Sequence, residues 1–278
     1  MTAAHIDAFL RAIEDAGLTT HKPSITADGA LHRYRVAGDK PGSLNGWYVL
    51  HLDEKPFGSF GSWKTGQSLT WTAERPESLT AAERLALARR MAATRREQAA
   101  EQAKVHADAA SRAARLWGRT KPADNAHPYL ARKQVAAFGV RDLRGQLVVP
   151  MRDADGRLWS LQFIAADGRK TFLTGGRKRG CYHAIGRPAA ALCIAEGYAT
   201  GATIYQATGH ATAVAFDAGN LLPVAEALRA KFPRLALVIA ADNDTETPGN
   251  PGLTAATAAA RAVGAVVALP QFGKNAHV

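Results

Sequence analysis

The sequence predicts an α/β protein built around a parallel sheet flanked by helices, and three observations within residues 191–270 carry that prediction. Short apolar runs, Ala191-Leu-Cys-Ile-Ala195, Ala211-Thr-Ala-Val-Ala215 and Leu235-Ala-Leu-Val-Ile-Ala-Ala241, have the length and composition of strands buried on both faces. Each run is followed by a stretch with helical spacing: Thr200 to Thr208, Leu222 to Lys231, and Gly252 to Val263. Strands alternating with helices build an open α/β sheet. Two of the runs end in acids, Glu196-Gly197 and Asp242-Asn243-Asp244. Such sheets carry their sites at the carboxyl ends of the strands. Glu196, Asp242 and Asp244 are therefore expected at one edge, where three hard oxygen ligands suit Mg²⁺ or Mn²⁺. Singly, each acid is also what a helix N-terminus takes as a cap. Two motifs in order, each closing an apolar strand, favour the metal reading.

On these residues the stretch resembles the Toprim domain of primases, topoisomerases and some nucleases. The resemblance implies that Glu196, Asp242 and Asp244 hold divalent metal and carry catalysis, the glutamate also serving in proton transfer. Glu196-Gly-Tyr-Ala-Thr-Gly201 is the more particular form seen in primases of plasmids and satellite phages. Tyr198 and Thr200 are second-rank candidates. Asp217, in Phe216-Asp-Ala-Gly-Asn-Leu221, either joins the acidic site or caps the next helix. Asn220 either touches substrate or fixes a turn. Gly252 stands where related domains carry the glycine of a D-x-D…G pattern, after a longer loop.

The 278 residues suffice for one to two domains with ample core. No apolar run approaches the roughly 20 residues of a membrane span. The N-terminus, with its acids, reads as an amphipathic helix and not as a signal peptide. Cys181 and Cys193 alone exclude a disulfide framework or a four-cysteine zinc site. A cytoplasmic protein is expected. The formal net charge is +11, yet the residues from Pro188 onward hold five Lys/Arg against six Asp/Glu. An acidic end beside a basic remainder suits an enzyme that grips a polyanion and does metal chemistry on phosphates.

Four segments are expected along the chain, three of them upstream of this stretch. Residues 1–77 form an N-terminal α+β domain of unassigned role: a helix bearing Ile6, Phe9, Leu10 and Ile13 on one face, then short strands separated by glycine-rich turns. Gly58 to Gly66 lacks Walker A spacing and reads as a hairpin. Trp47, Phe57, Phe60, Trp63 and Trp71 are either a stacking surface for single strands or core, and core suits at least half of them. Residues 78–120 form a long basic, Ala-rich helix opened by the capping box Thr80-x-x-Glu83. Residues 121–187 form a small basic α+β subdomain, and residues 188–278 the Toprim domain.

In the third segment, strands flank the turn Asp153-Ala-Asp-Gly156, Lys170-Thr-Phe-Leu173 follows, then the basic loop Thr174-Gly-Gly-Arg-Lys-Arg-Gly180 and a strand from Cys181 to Ile185. This order resembles the region upstream of Toprim in bacterial replicative primases. The resemblance implies that Lys170, Arg177, Lys178 and Arg179 contact template or nucleotide phosphates. Flexible glycines beside cations suit that role. The expected activity is a DNA primase, a nucleotidyltransferase making short RNA primers on single-stranded DNA from ribonucleoside triphosphates. Alternatives are a Toprim nuclease or strand-transfer enzyme, or a nucleic-acid-binding accessory domain. Related plasmid primases continue with a further acidic element, so a following helicase or other replication domain is expected.

Overall fold

The structure is a computed structural model that describes residues 2–20, 24–53, 55–74, 80–242 and 250–269. It divides into two compact units, Met1–Glu101 and Gln102–Val278. Among the described residues no helix is long and apolar enough to cross a membrane.

In the first unit, α1 (Thr2–Asp15) packs on an antiparallel sheet of β1 (His32–Tyr34), β2 (Gly46–His51), β3 (Phe57–Ser62) and β4 (Gln67–Thr72), in that order. Phe9 and Ile13 of α1 are fully buried, and the Phe9 ring meets those of Phe60 and Trp71 edge-on at 5.5 Å. β3 and β4 are the expected hairpin. Gly58 is where the Phe9 ring lies on the strand: a Cβ there would come within 2.5 Å of the ring. Trp47, Phe57 and Phe60 are buried, so these aromatics are chiefly core; Trp63 stays partly exposed under the Arg33 guanidinium at 4.2 Å. The capping box forms as expected at α2 (Ala81–Trp117): Glu83 accepts from the Thr80 amide at 2.8 Å, and Thr80 Oγ1 accepts from the Glu83 amide at 3.3 Å.

The second unit contains two sheets. One is antiparallel, in the order β5 (Lys121–Pro122), β6 (Arg141–Leu143), β7 (Gln146–Arg152), β8 (Leu158–Ile164) and β9 (Lys170–Phe172). β7 is buried on both sides because period-two alternation sorts its residues. Val148 packs with Leu161 and Ala113 of α2, whereas Leu147, Val149 and Met151 join a second core with α3 (Pro128–Lys133). His127 caps α3 by accepting from the Tyr129 amide at 3.2 Å, and Pro128 supplies the missing-donor first position.

The other sheet has the order β10-β12-β11-β13-β14, comprising β10 (His183–Ile185), β11 (Ala191–Ala195), β12 (Ala211–Val214), β13 (Ala236–Ala240) and β14 (Val266–Ala268). β11 pairs in parallel with both β12 and β13, and β13 with β14. This is the predicted parallel sheet. α5 (Leu221–Lys231) and α6 (Pro251–Val263) cover the face that carries Leu192 and Ile194. α4 (Tyr198–Thr208) covers the other, pressing so close that a Cβ at Gly201 would lie 2.8 Å from Val214. β10 was expected to end the basic subdomain, but it runs antiparallel to β12, so the sheet crosses the expected division after Arg187. An isolated bridge between Arg152 and Tyr182 joins the two sheets.

His183 of β10 lies in this seam. Its Nε2–H donates to the Phe138 carbonyl at 2.8 Å, and burial pushes its pKa down to about 4. The unfolded chain titrates near 6.5. Between pH 6.5 and 4 the unfolded state therefore binds a proton that the native state refuses, so stability falls as pH falls through that window, by up to about 3 kcal/mol. Urea denaturation at pH 7 and pH 4.5 should show this loss, and His183→Gln should shrink it.

Candidate active site

Register places the acids. Ala195, the last residue of β11, is paired with Val214 of β12 and with Ala240 of β13, so three strand ends lie level. Glu196 follows immediately, Asp242 comes two residues after Ala240, and Phe216-Asp217 follows β12. Glu196 and Asp242 thus leave neighbouring strands at the same edge, as the sequence predicts. Asp244 lies outside the described residues.

The first turn of α6 forms the wall beside them. A Cβ at Gly252 would stand 2.6 Å from the Asp242 carbonyl and 3.1 Å from Glu196 Oε1, so only glycine lets the helix come this near. Asn250 caps the turn, accepting from the Leu253 amide at 3.4 Å. The positive end of the helix dipole faces the carboxylates. Two hard oxygen donors at adjacent strand ends, packed against a first helical turn that only glycine lets so close, fit a divalent cation. Among the described residues no three acids, histidines or cysteines cluster as a complete ligand set.

Lys170, on the edge strand β9 of the antiparallel sheet, reaches this site. Its Nζ lies 3.8 Å from where a Cβ at Gly197 would be. The residue as a whole is exposed. Desolvation lowers its pKa, the charges of Asp242 and Glu196 act against that, and the charge of Lys133 adds to it. Lys133, in the last turn of α3, is the cation that sequence reasoning missed. Its only sequence signal is its place at a helix end, and nothing there joins it to residue 170.

The basic loop stands apart in its contacts. Arg177 lies over the Trp159 ring at 4.8 Å and donates Nε–H to the Arg179 carbonyl at 3.2 Å. Lys178 pairs with Asp217 and lies 5.6 Å from the centre of the Phe172 ring. Arg179 is exposed. Asp217 is thus a partner of the loop. It also caps the turn Ala218–Asn220 by accepting from the Asn220 amide at 3.0 Å. Asn220 is buried: its Nδ2 donates to the carbonyls of Cys181 and Ala215 at 3.0 and 2.8 Å, and its Oδ1 accepts from the Gly180 amide at 2.9 Å. Of the two roles open to Asn220, the structure displays the turn-fixing one. Phe216 carries this turn in a left-handed conformation, φ 76°, which a bulky residue adopts only where packing over-determines it.

Tyr198 is fully buried, away from the acidic edge. Its hydroxyl donates to the Ala136 carbonyl at 2.8 Å and accepts from the Phe138 amide at 2.7 Å, and burial raises its pKa. That is a structural position. Thr200, in the first turn of α4, keeps its Oγ1 beside Gly197, 3.7 Å from where a Cβ there would be.

Gly252→Ala should displace the backbone at Asp242 and push on Glu196, because the carbonyl it would strike cannot rotate away as a side chain can. Titration with Mn²⁺ should show affinity reduced at least about tenfold, about 1.4 kcal/mol. Wild-type affinity would mean that Gly252 does not shape the site.

Residues 190–269 match the Toprim domain. Over 98% of its length the chain is 42% identical to a DNA primase TraC of Escherichia coli, and over 96% it is 40% identical to another. It spans 27% and 19% of the lengths of these two relatives. Two solved structures are similar in part. One is the primase fragment of the bacteriophage T7 primase-helicase protein, at TM-score 0.40 and 13% identity over 51% of this chain and 64% of that one. The other is a bacteriophage T7 lagging-strand DNA polymerase interacting with primase domains, at TM-score 0.39 and 14% identity over 51% of this chain and 78% of that one. Residues 190–269 are thus similar to the Toprim domain, and across nearly its whole length the chain resembles one segment of the TraC primases.

Proposed function

We propose that this chain is the catalytic segment of a DNA primase, a DNA-directed RNA polymerase that makes short primers on single-stranded DNA from ribonucleoside triphosphates. The observation that carries the reading is the meeting of Lys170 with the Glu196–Asp242 edge, which sets a desolvated ammonium beside two carboxylates. The identity to TraC primases supports it. Glu196, Asp242 and Asp244 would hold Mg²⁺ or Mn²⁺. A divalent ion held there would supply Lewis acidity to a primer 3′-hydroxyl and offset triphosphate charge.

The chain's own groups do the rest. Lys170, on which the charge of Lys133 also acts, presents positive charge where phosphate oxygens approach carboxylates that would otherwise repel them. Arg177, Lys178 and Arg179 grip template or nucleotide phosphates from the neighbouring loop. Residues 121–187 are thus the basic half of the site and residues from 188 its acidic half. A helicase or other replication domain is the expected partner in a longer protein.

Incubation with single-stranded DNA, labelled ribonucleotides and Mg²⁺ or Mn²⁺ should yield short oligoribonucleotides. Asp242→Asn should abolish synthesis and largely spare DNA binding, since it removes an anionic ligand and leaves every cation in place. Cleavage of the DNA in place of synthesis would make the protein a Toprim nuclease. Near wild-type synthesis by the variant would sink the assignment of Asp242.

A further inference from the structure

We propose that Asp217 is an internal counter-ion of the basic loop: it occupies Lys178 until a substrate phosphate takes its place, and so selects for polyanions that reach the acidic edge. The inference rests on the reading of the loop as phosphate-binding.

The loop's three cations are held in three different ways. Arg177 lies on an aromatic ring, Arg179 is exposed, and Lys178 alone has a carboxylate partner among the described residues. That carboxylate comes from the turn after β12, at the same sheet edge as Glu196 and Asp242. The pair therefore puts a cation, already facing an oxyanion, at the sheet edge that carries those acids.

The contact is built to exchange. Both side chains are more than a third exposed, 39% for Lys178 and 36% for Asp217, and ion pairs this open contribute little to stability. The loop's position does not depend on it. Asn220 holds the loop independently through Gly180 and Cys181 by hydrogen bonds from a buried side chain. Lys178 can thus change partner without the loop leaving its place. A lysine suits such a swap, because an ammonium is a compact point charge on a flexible stem with no fixed fork to satisfy. With Lys178 drawn away, Asp217 keeps its second task, capping the Asn220 amide. A polyanion that reaches only Arg179 gains nothing from Lys178. One that reaches the acidic edge gains it by displacing Asp217.

The test uses the whole chain and a short single-stranded oligodeoxynucleotide, with affinity measured by fluorescence anisotropy across a range of KCl concentrations. The variants are Asp217→Asn, Lys178→Ala, their combination, and Arg179→Ala. Asparagine keeps an oxygen to cap the turn, so Asp217→Asn preserves the local fold. It should bind roughly two- to fivefold more tightly, the range an exposed ion pair leaves to be recovered. Its log–log salt slope should steepen by up to roughly 0.7, the value of one further phosphate contact on a single strand. In the Lys178→Ala background the same change should give clearly less. Equal gains in both backgrounds would mean a general field effect and would overturn the proposal. Weaker binding by Asp217→Asn would also overturn it, showing that the pair serves binding and does not compete with it. If Arg179→Ala loses affinity while Asp217→Asn changes nothing, the loop binds DNA and the counter-ion role fails alone. If neither changes binding, the phosphate-binding reading fails with it.

Discussion

The level parallel pairing of β11 between β12 and β13 is the constraint on which the site depends. Parallel strands run in one direction, so whatever follows their last paired residues emerges at one edge. With Ala195 matched to Val214 and to Ala240, that edge receives Glu196, Asp217 and Asp242 from three separate parts of the sequence. A one-residue slip of β13 would turn its buried face outward and carry Asp242 with it. The opposed cores hold the register. Leu192 and Ile194 are buried under α5 and α6, while Val214 is buried under α4, so neither β11 nor β12 can shift without exposing apolar surface.

The second dependence is the joint between the two sheets. β10 pairs with β12, Tyr182 bridges to Arg152, and the core beneath α4 is shared with Leu147, Val149 and Met151 of β7. Polar groups fix this joint in place where apolar packing alone would allow sliding. Tyr198 satisfies the Ala136 carbonyl and the Phe138 amide, and Asn220 satisfies Gly180, Cys181 and Ala215. Each buried group left without its partner would cost about 1–3 kcal/mol. The joint sets where Lys170 and the basic loop stand relative to the acids.

The parallel sheet was legible because its strands are apolar throughout and its helices follow at once; those signals are local. The acids at the strand ends were legible for the same reason. The capping box at Thr80 and the glycine-spaced hairpin at Gly58 to Gly66 also announced themselves within a few residues. What could not be read is non-local. Nothing near Ile185 says that its strand crosses to join β12, because a three-residue strand carries no information about its partner. Tyr198 sits beside Glu196 in sequence, but helical geometry turns it into the core while the glutamate stays at the edge. The charge of Lys133 acts on Lys170 only through the fold, and Asp217 meets Lys178 across 39 residues.

The electrostatics of Lys170 bear on what the site is for. A lysine kept mainly to pair with Glu196 and Asp242 should have its pKa raised, because attraction to two carboxylates would outweigh the loss of water. The opposite holds: desolvation prevails over that attraction, with Lys133 adding repulsion. A second cation nearby would be a defect in a structural ion pair, whereas it suits a group that carries several negative charges at once. The carboxylates have the converse need, since a triphosphate brought to them is repelled unless cations stand between. The acidic edge of one sheet and the start of the other's edge strand β9 thus meet at Gly197, where Lys170 brings its ammonium.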